Sequence, residues 1–173
     1  FDGVDDTAIA ASAWDALPPS AYSVSWWCKL PASLTGIVDY DVLIGMHGDT
    51  GSGASHRFKA MVMANGTMHF QEGSAAPSGY AHSQVSTSSG VIPTDGAWHH
   101  WCFTSQGTAS GTMTIYLDGS SVASGASGTA LDASPRALNL WVGANPSWSD
   151  RRTLCDIDEV TIYSSLLPAT GDA

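Results

Sequence analysis

The sequence predicts an all-β fold, a two-sheet antiparallel β-sandwich, on three observations. No stretch of helical length carries apolar positions at a 3.6-residue period. Short runs rich in Val, Ile, Thr and aromatic residues alternate with clusters of Gly, Ser, Pro, Asn and Asp. Two dipeptides between such runs, Asn65-Gly66 and Asp118-Gly119, readily supply the positive φ that tight hairpins need.

In chain order the strand-like runs are 6–12, 21–30, 38–46, 56–64, 67–72, 80–87, 97–105, 111–118, 137–143 and 155–164. The second run shows how faces are assigned. Successive strand residues point to opposite sides, so Tyr22, Val24, Trp26 and Cys28 oppose Ser23, Ser25, Trp27 and Lys29. In the seventh run His99, Trp101 and Phe103 oppose Trp98, His100, Cys102 and Thr104. One face of each run is core; the other still carries a Trp, which covers the second sheet or meets a ligand. Asn65-Gly66 joins FKAMVMA to TMHFQ, and Asp118-Gly119 joins TMTIYL to SSVAS. The segments GMHGDTGSGASHR and SGASGTALDASP read as long loops inside a single domain, because strand patterns continue on both sides of each. So many short strands with frequent turns are satisfied by two sheets that bury their facing sides.

Length and composition bound the rest. A chain of 173 residues makes about one domain and can bury a real core. Charged residues are 13% against about 25% in an average domain, so Ser, Thr, Gly, Asn and His must supply the polar surface. Six Lys and Arg stand against sixteen Asp and Glu, a formal charge of −10. Phosphate binding needs clustered cations, and the sequence has one basic pair, Arg151-Arg152. Nucleic acid and anionic membrane are therefore excluded as expected partners. No apolar run is long enough to span a bilayer, so no membrane insertion is expected. The chain, 1–173, is expected to be one domain excised or processed from a larger protein. Cys28, Cys102 and Cys155 lie in apolar strand-like runs without a Cys-x-x-Cys pair, which reads as buried thiols rather than zinc ligands, with one disulfide plus one thiol as the alternative.

Three stretches carry a family resemblance. FDGVDD at the N-terminus, DGAWHHWCFT followed by TIYLDGSSVASG, and LNLWVGAN followed by CDIDEVTIY resemble the opening strand, the central strand with its Asp-Gly hairpin, and the closing pair of LamG-like jelly-roll domains. These belong to the concanavalin A-like lectin/glucanase superfamily. Order and spacing cover nearly the whole chain, and Cys155 stands where the family often has Gly. The resemblance implies a concanavalin A/laminin-G-like jelly roll. It does not fix function, because one fold hosts many.

Candidate chemistry follows. Glycanase relatives place three carboxylates on one face of a strand, two of them about 5–5.5 Å apart in retaining enzymes. In DIDEV, strict alternation puts Asp156 and Asp158 on one face with Val160 next, and Glu159 on the other. No triad is expected, and no enzyme. Asp158 shares parity with Val160 and Ile162, so a core-facing carboxylate there needs hydrogen-bond donors or a cation. The resemblance implies such a cation: a structural calcium held between an N-terminal acidic segment and the last strand, with Asp2, Asp5 and Asp158 as candidate ligands. The alternative is that backbone N–H groups alone satisfy Asp158.

For recognition, loop aromatics beside polar groups are the candidates. Trp148 lies in ANPSWSDRR with Asn145, Arg151 and Arg152; Tyr80 and His82 follow a Pro-Ser-Gly turn; His47, Asp49 and Arg57 flank the long loop. A Trp face stacks on a sugar ring while amide, carboxylate and guanidinium groups bond its hydroxyls. The leading expectation is a non-catalytic carbohydrate-binding or adhesion module, extracellular, cell-surface or virion-associated, with a glycan or polysaccharide as partner. The alternatives are a structural or protein-interaction domain of a cell-surface or viral particle protein, and then a polysaccharide-cleaving enzyme.

Overall fold

The structure is a computed structural model that describes residues 7–10, 21–37, 41–47, 56–73, 82–108, 110–127, 139–145 and 148–168; of residues 47, 56, 144, 145 and 148–152 it describes the backbone. Among the described residues every regular element is a strand: β1 (Ala8–Ala10), β2 (Tyr22–Lys29), β3 (Asp41–His47), β4 (His56–Val62), β5 (Met68–Gly73), β6 (His82–Ser86), β7 (His99–Ser105), β8 (Thr112–Leu117), β9 (Ser120–Ala126), β10 (Asn139–Val142), β11 (Ala144–Asn145), β12 (Trp148–Arg152) and β13 (Asp156–Tyr163). All ten expected runs form strands. Two antiparallel sheets result, a sandwich. One runs β1-β10-β3-β4-β5-β6 with β12 and β11 attached beside β3; the other runs β13-β2-β7-β8-β9. No described helix is long and apolar enough to cross a membrane.

The core forms where period-2 alternation aims apolar side chains inward. Tyr22, Val24, Trp26 and Cys28 of β2, Trp101 and Phe103 of β7, and Met113 and Ile115 of β8 face Ile44, Met46, Phe58, Ala60, Val62, Met68, Phe70 and Val85 of the other sheet. Each fully buried aliphatic or aromatic side chain contributes about 1.5–3 kcal/mol. The face assignment read from alternation holds in both β2 and β7.

The turns differ in mechanism. Asp118 and Gly119 both take positive φ, 49° and 78°, the signature of a type I′ hairpin. At the other turn only Gly66 does, at 76°; Gly66 N–H donates to Met63 C=O, and Asn65 instead uses its side-chain oxygen to accept from Thr67 N–H and Oγ1. That is the Asx geometry that makes Asn a turn residue.

All three cysteines are free and buried. Burial pushes the Cys102 thiol up to about 11. Cys28 is raised further, first by a hydrogen bond with Cys155 and then by burial. Cys28 and Cys102 are thus kept protonated and are poor nucleophiles.

Candidate functional site

The outer face of the larger sheet is built by strand parity. In β4, Phe58 and Ala60 are core residues, so Lys59 points outward; in β5, Phe70 and Glu72 point in and Gln71 out; in β6, Ser83 and Val85 are buried and Gln84 is exposed. In β10, Leu140 packs on the core, so Trp141 points out. The register then aligns these positions. Ile9 pairs Trp141, Trp141 pairs Gly45, Gly45 pairs Lys59, Lys59 pairs Gln71, and Gln71 pairs Gln84. Directly opposed residues share a face. One continuous row therefore crosses six strands: an exposed Ile, a Trp, the buried Gly45, a Lys and two Gln.

The row is ordered. Gln71 Nε2 donates to Gln84 Oε1 at 2.7 Å, and Gln84 Nε2 donates to Ser86 Oγ at 2.9 Å. Each amide keeps further donor or acceptor capacity. On the next row His69 Nε2 lies 2.9 Å from Thr67 Oγ1. The Trp141 indole N–H is buried without an acceptor among the described residues.

The structure divides the recognition residues expected from sequence. His47 ends β3 opposite His56, Arg57 follows His56, and His82 opens β6 opposite Gly73, so these lie at one end of the sheet. Asn145 pairs Trp148 at the tip of the β11–β12 hairpin, and Arg152 pairs Val42 at the other end of β3. The two groups are a strand length apart, about 20 Å. Asn145, Trp148, Arg151 and Arg152 belong to strands, not a loop, because β12 runs parallel to β3 and is held there by Thr153, whose hydroxyl donates to Val42 C=O. Asp49 and Tyr80 lie outside the described residues. The face between the two groups, with Trp141, Lys59, Gln71 and Gln84, was missed by a search for loop aromatics. Parity in LNLWVG, FKAMV and HFQEG was the signal that could have found it.

Asp158 corrects another expectation. The register of β13 on β2 slips between Asp158 and Thr161, where Glu159 takes φ 51°. This β-bulge inserts a residue, so parity inverts. Ile157, Val160 and Ile162 all pack on the core, whereas Asp158 and Glu159 are both exposed. Asp158 Oδ1 accepts from Glu159 N–H at 2.8 Å. A buried carboxylate in need of a cation is therefore not what stands there. Asp2 and Asp5 lie outside the described residues, and among the described residues no group of three ligands fits a metal.

A second polar cluster lies on the smaller sheet. His99 Nδ1 is 2.7 Å from Asp118 Oδ2, and its Nε2 is 3.1 Å from Asp95 Oδ1. Asp118 Oδ1 also accepts from His100 N–H. Both ring nitrogens face carboxylates, so neither is left to take a proton from a nucleophile; the group clasps the 95–98 loop to the β8–β9 hairpin. His99 is held above its ordinary pKa by the bond to Asp118, against partial desolvation, with Asp95 adding to the rise. Its stabilisation is complete below the ordinary imidazole value of about 6.5 and is lost as pH rises through the raised value. His99→Ala is expected to cost about 0.5–1 kcal/mol at pH 5.5 in urea unfolding, and less at pH 9. A cost that grows with pH would contradict the clasp.

Comparison with known proteins follows this geometry. The Laminin_G_3 family model, described as the concanavalin A-like lectin/glucanases superfamily, matches residues 2–170. No curated protein sequence matches the chain. Solved structures share its fold. The binding domain of botulinum neurotoxin DC in complex with SialylT superposes with a TM-score of 0.62 at 12% identity, over 94% of this chain and 37% of that one. A Trypanosoma rangeli sialidase in complex with 2,3-difluorosialic acid gives 0.65 at 16%, over 98% and 25%. The endo-β-1,4-glucuronan lyase of the fungus Trichoderma reesei gives 0.64 at 14%, over 91% and 74%. The chain thus spans little more than a third of the toxin domain and a quarter of the sialidase chain.

Proposed function

The chain belongs to the concanavalin A-like lectin/glucanases superfamily, and from the geometry of its larger sheet we propose that it is a non-catalytic carbohydrate-binding module. The observation that carries this reading is the row Trp141–Gly45–Lys59–Gln71–Gln84. A sugar ring stacks on an indole, and Trp141 stands beside Gly45, which carries no side chain of its own. The sugar's hydroxyls need donors and acceptors held in place, which the linked Gln71 and Gln84 amides offer. Binding domains and enzymes both occur among the structures that share the fold, so the site must decide. Asp156, Asp158 and Glu159 are all exposed, whereas a glycosidase acid is kept protonated by burial or a neighbouring charge. The Trp148 hairpin and the His47–His82 end flank the row and extend it for a longer chain. A place outside the cell, at a cell surface or on a particle goes with this role.

Titration against a broad glycan panel tests the reading. One stacked ring and a few wet hydrogen bonds give a millimolar to high-micromolar Kd, about −4 to −6 kcal/mol. Trp141→Ala should weaken binding at least tenfold, and Gln71→Ala several-fold, in proteins whose circular dichroism matches the parent. No reducing ends or unsaturated products should appear. Full affinity in both variants would refute the site, and cleavage by pure protein would refute the non-catalytic role.

A further inference from the structure

We propose that Cys28 and Cys155 are the site of a disulfide that staples the closing strand to the smaller sheet and leaves Cys102 as a free thiol. In the structure all three are reduced. Strand pairing brings two of them together. Cys28 of β2 lies opposite Ile157 of β13, and Cys155 stands two residues before Ile157, so it is the diagonal neighbour of Cys28. Both side chains belong to the core between the sheets, at 1% and 5% exposure, and so share one face. Their thiols are hydrogen-bonded to each other. A disulfide needs Cα atoms about 4.4–6.8 Å apart, whereas a regular ladder holds diagonal neighbours at about 7–8 Å. Cys155 is outside that ladder, in the bend that leads into Asp156, the first residue of β13, so ladder spacing does not fix its distance. Cys102 can take neither place. It pairs with Ser25 and alternates with Trp101 and Phe103, which puts it on the outer face of the same sheet.

The place of the bond decides what it does. β13 lies at the end of the smaller sheet's strand order, paired with β2, and the bulge after Asp158 interrupts that pairing. The bond fixes this strand at the end where it begins, ahead of the bulge. The ring it closes runs from residue 28 to residue 155 and takes in β3–β12, every strand of the larger sheet except β1. Closing so long a ring removes freedom from the unfolded chain, and the loss grows with ring length. In the folded protein, burial and the mutual hydrogen bond keep Cys28 protonated and out of reach. The bond therefore forms while the chain folds or when β13 opens, by exchange with a small disulfide such as oxidised glutathione. One cysteine thiolate attacks that disulfide, forming a mixed disulfide and releasing one glutathione thiolate. The second cysteine thiolate attacks the protein sulfur of the mixed disulfide and releases the other. The cysteines together lose two electrons, glutathione gains them, and both thiol protons end on the released glutathiones. The place outside the cell proposed for this module is one where such oxidants prevail.

The test refolds the whole chain from urea in a buffer of oxidised and reduced glutathione, and in parallel under excess reductant. Native chain warmed to the foot of its melting transition in the same glutathione buffer gives a second route that needs no refolding. Thiol titration of the denatured products should find one free thiol after oxidation and all three after reduction. Peptide mapping without reductant should recover a Cys28–Cys155 cross-link. The oxidised protein should melt about 5–15 °C above the reduced one, and reducing it again should remove the difference. Cys102→Ser should keep that shift, whereas Cys28→Ala and Cys155→Ala should each abolish it. The mapping on the parent chain decides the pairing even where an Ala variant folds poorly. Three free thiols by both routes, a cross-link that uses Cys102, or a Cys28–Cys155 bond that leaves the melt unchanged or lower overturns the proposal.

Discussion

Glu72→Ala should lower the stability of the fold by about 3 kcal/mol, a fall in Tm of about 6–12 °C for a domain of this size. Glu72 is a carboxylate inside the sandwich. Tyr22 OH donates to its Oε1 at 2.7 Å and Ser127 Oγ to its Oε2 at 3.3 Å, and Ser105 and Arg57 also favour its charged form. Removing it leaves the buried Tyr22 hydroxyl and the Ser127 hydroxyl without this acceptor, and Arg57 without this counter-charge, which costs more than the net value of the bonds. Burial nevertheless outweighs these partners and raises the Glu72 pKa above its ordinary value. The native protein therefore holds this proton more tightly than the unfolded chain. That contribution to stability is complete below the ordinary carboxyl range and is lost as pH rises through the raised value. Glu72→Gln keeps the shape and an acceptor for Tyr22 but cannot titrate. The parent's advantage over the Gln variant should thus be larger at pH 4 than at pH 7 in urea unfolding, with Glu72→Ala far below both. An advantage that is flat or grows with pH would show that Glu72 is not the desolvated group the geometry describes.

This network marks where the sequence stops being legible. Tyr22 and Glu72 are 50 residues apart, and nothing in YSVSWWCK or HFQEG announces that they meet. The strands themselves were readable, because alternation is a local property: one face of YSVSWWCK is core whatever lies across from it. Pairing partners are not local. Trp141 neighbours Gly45 and Lys59 only because β10 and β4 both flank β3. Local irregularity defeats parity as well. A count of two per step sent Asp158 inward with Val160, and the bulge at Glu159 reversed it. ANPSWSDRR, rich in turn residues, resembled a loop, yet part of it is a strand because Arg152 pairs in parallel with Val42, ahead of the Ile44–His47 stretch of β3 that β10 takes.

Adjacent tryptophans provide the sharpest check on the assignment of faces. Trp26 and Trp27 differ by one position, and strand geometry sends them to opposite sides of the smaller sheet. Trp26 is 1% exposed, in the core opposite Trp101. Trp27 is half-buried on the outer face, its ring 5.3 Å from that of His100 and tilted 53° to it. The same chemical deletion should therefore have unequal effects. Trp26→Ala removes a ring that the sandwich cannot collapse around, and should cost about 3–5 kcal/mol, enough to lower Tm by about 10 °C. Trp27→Ala gives up partial burial and one ring contact, about 1 kcal/mol. Trp26→Phe separates volume from polarity. The Trp26 indole N–H is buried without an acceptor among the described residues, so losing it offsets much of the lost ring, and the cost should stay near 1 kcal/mol. Urea unfolding of the three variants measures all of this. Equal losses for Trp26→Ala and Trp27→Ala would mean that β2 is out of register. A one-residue slip exchanges the faces of a whole strand. The same rule places Trp141 outside and Leu140 inside, so this result also bears on the face proposed to hold the glycan.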